Sequence, residues 1–299
     1  MAKGGSAVPR LGVIGLGDWG GAVVTRLLDA RFPVCFFDTN VTRAATLRGA
    51  HATAAASPAA VAVASDVILL SLPPSETFVQ IAEQQLLPAL TSGKSVIDLG
   101  ATELAETRRL AEWLEARGVG FLDAPASGSA ASARRGSLNL FVGGKKETFK
   151  ACAPVLKALA GLGSITYCGP AGCGQIVKGV EQLVLGLSAA ACLEALAYGG
   201  SFGLTPEALW EALERTPAAR AGSEHFVKKM LSEGGEAVPV HYGELPRLLA
   251  AAAQKGQPLP LAQALVAFLK TAPPAVIENG HHVPSFWVEL RRPAGKGNA

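Results

Sequence analysis

The sequence predicts an α/β protein, with a doubly wound and largely parallel sheet followed by an all-α domain built on a long helix. Three observations support this fold class. Short apolar runs alternate with helical patterns over residues 10–168. One long apolar helical pattern without proline then covers residues 175–199, and only helical patterns follow it. Hydrophobic residues make up 49% of the 299 residues, which is enough for a large core and excludes a disordered chain or a coiled coil.

The predicted strands are short and almost entirely apolar. Such runs are typical of parallel strands whose sheet is covered by helices on both faces. Between the first two runs, Val23, Val24, Leu27 and Leu28 recur on one face of a predicted helix. The runs lie at residues 11–14, 34–37, 67–72, 95–99, 119–122, 138–142 and 165–168.

We expect a domain boundary after residue 172. Residues 1–172 form the predicted α/β domain, residues 173–292 the all-α domain, and residues 293–299 a flexible tail. In the second domain Thr205 and Pro206 predict a helix start, with an N-cap followed by proline. Further helices are expected near residues 245–255 and 259–271. The long apolar helix is too large for one small domain to cover, so we expect a homodimer through the helical domain.

Charge and cysteine content narrow the class of protein. Lysine plus arginine exceeds aspartate plus glutamate by 27 − 24 = +3, and the basic residues are scattered, which disfavours nucleic-acid and membrane-surface partners. The five cysteines lack metal-ligand spacing, so we expect reduced thiols and no metal site. Residues 1–10 lack a signal-peptide core, and the most apolar stretch, residues 183–198, is short of a membrane span and contains Glu194. We therefore expect a soluble protein of the cytoplasm.

A glycine-rich segment between the first predicted strand and helix predicts a dinucleotide site of the Rossmann type. The first glycine of G-x-G-x-x-G permits a tight turn, the second lets pyrophosphate approach the backbone, and the third lets the helix pack on the strand. Asp38 ends the next strand, where a carboxylate would accept the ribose hydroxyls of NAD and repel the 2′-phosphate of NADP; Arg43 would soften that preference. We expect NAD ahead of NADP. The motif is matched by Gly15, Leu16, Gly17, Asp18, Trp19 and Gly20.

Two further segments carry a resemblance to a known family. Residues 123–129 read DAPASGS, and residues 169–178 read GPAGCGQIVK. With the glycine-rich motif, and in this order, they resemble the β-hydroxyacid dehydrogenase family, which includes 3-hydroxyisobutyrate dehydrogenases and tartronate semialdehyde reductases. The resemblance covers residues 11–205. It implies hydride transfer between NAD or NADP and a small carbonyl or β-hydroxyacid substrate.

The resemblance also implies roles for individual residues. Ser127 and Gly128, with Ser129 in place of the family's last glycine, would bind the substrate carboxylate. Lys178 would protonate the carbonyl oxygen as hydride arrives and would remove the proton in the reverse direction. A proton donor at that oxygen lowers the barrier because reduction builds negative charge there. The cofactor site would be completed by Leu72, Pro73 and Thr102.

The chain departs from the family just after Lys178. At the third and fourth following positions the family has Asn and then Asn or Gln, whereas this chain has Glu181 and Gln182. Residues i, i+3 and i+4 share a helix face, so all of these side chains are expected to face the same space. Gln182 keeps an amide for the substrate. Glu181 would favour the ammonium form of Lys178 and repel a substrate carboxylate, so it either pairs with a cationic substrate group or turns aside into an ion pair.

Other departures separate this chain from the common members of the family. Gly100 and Ala101 stand where Ser and Thr usually follow a strand-end aspartate, Trp19 replaces methionine, and Gly243 replaces lysine. We therefore do not assume activity on 3-hydroxyisobutyrate. Two alternatives stay open. One is an imine- or amine-directed reductase of the same superfamily, and the other is a non-catalytic scaffold that binds the cofactor.

Overall fold

The computed structural model describes residues 8–47, 49–73, 79–217, 242–271, 277–278 and 281–282. The chain divides into two compact units, Met1–Lys178 and Gly179–Ala299. The boundary expected from the sequence, after residue 172, coincides with the start of the long helix. The division between the compact units lies six residues later, within the second turn of that helix.

The first unit is built on a sheet whose main part is parallel. Six strands pair in parallel in the order β3-β2-β1-β4-β5-β6, so the order reverses between β1 and β4. That reversal marks the crevice at which Rossmann sheets bind dinucleotides. Beyond β6, β8 runs antiparallel to β6 and β7 and parallel to β9. The strands are β1 (Leu11–Ile14), β2 (Val34–Phe37), β3 (Ala52–Ala54), β4 (Val67–Leu70), β5 (Ser95–Asp98), β6 (Gly120–Asp123), β7 (Ala126–Ser127), β8 (Asn139–Gly144) and β9 (Ser164–Gly169).

Helices cover both faces of this sheet, which confirms the predicted doubly wound architecture. Successive side chains of a strand point to opposite faces. Val13 accordingly packs in one core cluster with Leu27, and Ile14 packs in the other with Leu110. The helices are α1 (Asp18–Asp29), α2 (Val41–Thr46), α3 (Pro58–Ala64), α4 (Leu104–Glu115), α5 (Ala130–Arg135), α6 (Lys146–Ala151) and α7 (Ala153–Ala160), with a π-helical segment at Val79–Leu86 and a 3-10 turn at Leu87–Ala89.

Two strands of the sheet were not expected from the sequence. β3 is a partly exposed edge strand of alanine and threonine, so it lacks the apolar run that marks its neighbours. β7 has only two residues and lies within the segment expected to be a substrate-binding loop. The runs at residues 67–72 and 95–99 also end earlier than expected. Leu72 and Leu99 are buried, but they follow the strands rather than belong to them.

The second unit is mainly helical, as expected. Thr205 accepts a hydrogen bond from the backbone N–H of Ala208 at 3.2 Å, which confirms the predicted cap. The expectation that no strand follows residue 172 was wrong, because two short strands pair antiparallel. The elements are α8 (Cys173–Gly200), which continues from the first unit, then α9 (Pro206–Leu213), a 3-10 turn (Tyr242–Glu244), α10 (Leu245–Ala253), α11 (Pro260–Thr271), β10 (Ile277–Glu278) and β11 (His281–His282). The expected tail at 293–299 lies outside the described residues.

The long helix α8 is longer than residues 183–198, the apolar stretch whose length was compared with that of a membrane span. It has 28 residues, and its most apolar window has a mean hydropathy of 1.5, so by length and composition it could cross a membrane. The judgement that this region is too short was therefore wrong, because the helix extends beyond residues 183–198 at both ends. The core helix of a soluble protein passes the same test.

Candidate active site

The three motif glycines of the loop between β1 and α1 differ in what surrounds them. Gly15 has φ +92°, and a Cβ there would lie 2.2 Å from the carbonyl oxygen of Ser71. A Cβ at Gly20 would lie 1.8 Å from the carbonyl oxygen of Gly15. Among the residues that the structure describes, a Cβ at Gly17 would meet no atom within 4 Å, and no side chain caps α1, which follows Gly17. The backbone at Gly17 is therefore open to a ligand, as the approach of a pyrophosphate to a helix N-terminus requires.

Asp38 is hydrogen-bonded to this loop. Its Oδ2 accepts from the backbone N–H of Leu16 at 2.5 Å, and its Oδ1 accepts from the backbone N–H of Asn40 at 2.7 Å. The Arg43 guanidinium lies 3.8 Å from Oδ1, so it forms a long ion pair with this carboxylate. The structure thus brings the predicted acidic residue to the glycine-rich loop. Leu16 is buried, Asp18 is exposed, and Trp19 packs against the core.

The loop after β4 adjoins the glycine-rich loop, because a Cβ at Gly15 would lie 3.1 Å from the Leu72 side chain. Leu72 is buried and Pro73 is exposed. A Cβ at Gly100 would lie 3.0 Å from the carbonyl oxygen of Leu72, so the loops after β4 and β5 are in contact. Thr102 is buried, and its hydroxyl donates to Asp98 Oδ2 at 2.6 Å. That proton is therefore used within the protein, which the family resemblance did not reveal.

The segment expected to bind a substrate carboxylate follows β6. Ser127 lies in β7, opposite Asn139 of β8. Gly128 has φ +141°, a region that favours glycine, and a Cβ there would crowd the Leu138 side chain at 3.1 Å. Ser129 caps α5, because its Oγ accepts from the Ser132 backbone N–H at 3.2 Å. The replacement of glycine by serine at this position therefore has a structural role that a turn alone would not indicate.

Two buried carboxylates lie side by side at the carboxyl edge of the sheet. The sequence motifs did not indicate that these two residues are neighbours. Asp98 and Asp123 end β5 and β6 and are register partners. Asp98 is 1% exposed, and its Oδ1 accepts from the Gly100 N–H at 2.9 Å. Burial raises the pKa of Asp98 to about 6; hydrogen bonds from Thr102 and Gly100 lower this pKa, and the nearby Asp123 charge raises it. A polar residue closing each of two successive apolar strands was the only sequence signal.

Replacing Asp98 by asparagine is expected to remove part of the pH dependence of stability. The pKa of Asp98 is raised from 3.8 to about 6, so the folded protein holds this proton more tightly than the unfolded chain. Its contribution to stability is therefore present below about pH 4 and is lost as the pH rises to about 6. Asparagine can accept from the Gly100 N–H with its oxygen and donate from its amide to the Thr102 hydroxyl oxygen, which reverses the hydrogen bond that Asp98 accepts. The variant carries no buried charge, so D98N should be more stable by about 2–3 kcal/mol above that range.

Urea unfolding of the wild type and D98N between pH 4 and pH 8 measures this difference, with the exposed Asp29→Asn as the control. A D98N stability that tracks the wild type at every pH would contradict the raised pKa of Asp98.

Asp123 connects the sheet to the start of α8. Its Oδ1 accepts from the Gly172 N–H at 2.8 Å and its Oδ2 from the Gln175 N–H at 3.0 Å. Burial raises the pKa of Asp123, and these backbone hydrogen bonds lower it. The Gln175 side chain donates to the Gly100 carbonyl at 2.8 Å. Lys178 is the sixth residue of this helix, three residues after Gln175.

Glu181 and Gln182 continue the same uninterrupted helix, so the helical spacing expected for them and Lys178 is confirmed. Both belong to the second compact unit, whereas Lys178 closes the first. Gly243, the position at which the family has lysine, lies in the 3-10 turn before α10.

Comparisons with family models match both units. Residues 10–169 match the model described as the NAD binding domain of 6-phosphogluconate dehydrogenase. Residues 172–282 match the model described as NAD-binding of NADP-dependent 3-hydroxyisobutyrate dehydrogenase.

Curated relatives have names of the same kind. The 2-(hydroxymethyl)glutarate dehydrogenase of Eubacterium barkeri is 31% identical over 259 residues, which cover 84% of this chain and 85% of that protein. The mitochondrial 3-hydroxyisobutyrate dehydrogenase of Mus musculus is 31% identical over 205 residues, 68% of this chain. The matched region spans only 61% of the mouse protein.

Solved structures share the fold at low identity. A 3-hydroxyisobutyrate dehydrogenase of Mycobacterium tuberculosis with L-serine has a TM-score of 0.79 and 23% identity, covering 95% of this chain and 98% of that one. An imine reductase variant of Myxococcus stipitatus with NAD+ has a TM-score of 0.67 and 19% identity, covering 94% and 99%. One family model covers more than half of the chain, and a relative at 31% identity covers 84% of it. The chain therefore belongs to the β-hydroxyacid dehydrogenase family of NAD(P)-binding oxidoreductases.

Proposed function

We propose that this protein transfers hydride between a nicotinamide cofactor and a small carbonyl or β-hydroxyacid substrate, with Lys178 as the general acid and base. One observation carries the proposal. Lys178 lies in the second turn of α8, and the first turn of that helix is hydrogen-bonded to Asp123 at the carboxyl edge of the sheet. Ligands of open α/β sheets bind at that edge. The helix that carries Lys178 therefore starts at the edge where the cofactor is expected.

The residues of the chain divide the work between binding and proton transfer. The bound nicotinamide supplies hydride in reduction and accepts it in oxidation. Gly17 and the first turn of α1 would hold the pyrophosphate, and Asp38 the adenosine ribose. Lys178 Nζ would give a proton to the substrate oxygen in one direction and take it back in the other. The substrate carboxylate would be held by Ser127, Gly128 and Ser129, as the family resemblance implies.

A second candidate function is suggested by Glu181. A carboxylate one helical turn from Lys178 suits a cationic substrate group, such as an amine or iminium, better than a carboxylate. Imine reductases share this fold. We rank the carbonyl substrate first because the chain keeps Lys178, which is chemically suited to protonate an oxygen.

A turnover assay separates these candidates. Purified protein is titrated with NADH and NADPH, and the absorbance of the reduced nicotinamide is followed with carboxylate-bearing semialdehydes, keto acids and cyclic imines. Turnover of a carboxylate-bearing semialdehyde supports the first proposal. Turnover only of imines or of cationic carbonyl compounds assigns Glu181 to the substrate. Tight cofactor binding without turnover of any of them contradicts both and favours a cofactor-binding scaffold.

We propose NAD as the preferred cofactor, and Asp38→Asn tests the preference. The variant removes the negative charge that would repel a 2′-phosphate and leaves the Arg43 guanidinium unopposed there. NADH affinity should fall about tenfold, as expected for loss of one charge-assisted hydrogen bond, and NADPH affinity should hold or rise. Fluorescence titration of both cofactors measures the ratio, with Asp29→Asn as the matched exposed control. An unchanged NADPH-to-NADH ratio would contradict this role of Asp38.

We also propose that the protein is a soluble, cytoplasmic homodimer that uses α8 as an interface helix. Val180, Val184, Leu185 and Tyr198 of this helix are each about half exposed or more. Large apolar side chains exposed along one helix are typical of a protein interface. Sedimentation equilibrium should report twice the chain mass of 30.6 kDa without detergent. A monomer, or a protein that needs detergent to stay in solution, would contradict the proposal.

A further inference from the structure

The first turn of α8 is held against the sheet by one buried carboxylate. The first backbone N–H groups of a helix have no partner within the helix, and an acidic side chain at that end satisfies them and favours the helix dipole. Asp123, which is fully buried, takes this role through Gly172 and Gln175. The contact is tight, because a Cβ at Gly174 would lie 2.3 Å from the Phe141 carbonyl oxygen and 2.8 Å from Asp123 Oδ2.

The same turn is joined to the loop after β5. Gln175 Nε2 donates to the Gly100 carbonyl at 2.8 Å, and the Gly100 N–H donates to Asp98 at 2.9 Å. Gly100 is therefore held on both sides, through its N–H by Asp98 and through its carbonyl by the helix. Gln175 and Lys178 are three residues apart, so both side chains leave the same face of α8.

We propose that Asp123 and Gln175 are positioning residues that fix the orientation of Lys178 relative to the loop after β5. The proposal rests on the role of Lys178 as acid and base. Proton transfer needs its donor within hydrogen-bond reach of the reacting oxygen, and a misplacement of about 1 Å can cost as much as 100-fold in rate. Two hydrogen bonds to Asp123 fix the start of the helix, and the Gln175 amide fixes its rotation toward Gly100.

Gln175→Met tests this directly, because methionine keeps the length of the side chain and removes the hydrogen bond to Gly100. We expect kcat to fall about tenfold, with the Kd for NADH within about twofold of the wild type. Gln254→Met, at an exposed position at the end of α10, is the matched control and should keep the wild-type rate. An unchanged kcat in Gln175→Met would overturn the proposal.

A double-mutant cycle distinguishes positioning from a general loss of structure. If Gln175 acts through Lys178, adding Gln175→Met to Lys178→Ala should cost no further residual rate. An equal loss in both backgrounds would show that Gln175 acts elsewhere and would overturn the proposal. If Lys178→Ala alone keeps the wild-type rate, the proposed function fails and this inference fails with it. Loss of activity in Lys178→Ala with full activity in Gln175→Met would remove only this inference.

Asp123→Asn is the second variant. One of its two acceptors becomes an amide N–H facing a backbone N–H, so the start of α8 loses a hydrogen bond. We expect kcat to fall further than in Gln175→Met. Within the Asp123→Asn variant, KM should change less than kcat does. A folded Asp123→Asn with the wild-type kcat would overturn the role of Asp123. If this variant does not fold, Asp123→Glu replaces it, with the same carboxylate set one methylene further out, and the same fall in kcat is expected.

Discussion

Replacing Lys178 by alanine is expected to lower turnover by about 10²–10⁴-fold, the range typical of a positioned general acid or base. The reacting oxygen gains negative charge as hydride arrives, and without Lys178 no lysine ammonium on this turn of α8 can neutralise it. The Kd for NADH should stay within about twofold, because the glycine-rich loop and Asp38 are untouched. Steady-state kinetics together with a fluorescence titration of NADH measure the two quantities separately.

The control for this variant is Lys150→Ala, which removes an exposed lysine from the last turn of α6. It should keep the wild-type kcat. A Lys178→Ala enzyme with full turnover would exclude Lys178 as the proton donor. A large loss of NADH affinity in the same variant would instead make Lys178 a cofactor ligand.

The architecture could be predicted because its determinants are local. The strands nearest the cofactor crevice are runs of apolar residues that need burial on both faces, and β1 and β2 lie where the pattern puts them. The turn chemistry of Thr205 and Pro206 also acts within a few residues. β3 could not be found in this way. Its pairing with β2 is decided by the neighbouring strand and not by its own alanine and threonine residues.

In the candidate site, too, the features set by local sequence could be predicted and those set by distant residues could not. Gly15 and Gly20 could be identified because close contacts at these positions require a residue type with no Cβ. Gly128 was indicated by the family resemblance, and its positive φ is consistent with glycine there. The pairing of Asp98 with Asp123 depends on the register between β5 and β6, which no short segment encodes. Nor could the sequence indicate that Thr102 donates its hydroxyl to Asp98. The first contact joins residues that are distant in sequence. The second uses a hydroxyl proton that could equally be donated to a ligand, and the residue type alone does not decide between the two acceptors.

Alanine substitutions in the glycine-rich loop are expected to have large and different effects, because Gly20 serves packing and Gly17 serves cofactor binding. Gly20→Ala places a Cβ 1.8 Å from the Gly15 carbonyl oxygen, so backbone must move. We expect the free energy of unfolding to fall by about 3 kcal/mol, the upper part of the usual cost of overpacking. In the described part of the chain the new methyl group of Gly17→Ala meets no atom within 4 Å, so the stability of this variant should stay within about 1 kcal/mol of the wild type. Its affinity for NADH should fall at least about tenfold, because the methyl group occupies the approach to the pyrophosphate.

Gly21→Ala is the matched control, because its nearest contact outside the helix turn, the Leu16 carbonyl oxygen, would be 3.7 Å from the new Cβ. Inside α1 this change should raise the free energy of unfolding by about 0.5–1 kcal/mol and leave NADH affinity unchanged. Urea unfolding and NADH titration of the three variants therefore separate packing from cofactor binding. Gly17→Ala with wild-type affinity would place the pyrophosphate away from α1, whereas equal destabilisation by Gly17→Ala and Gly20→Ala would mean that both glycines serve the fold alone.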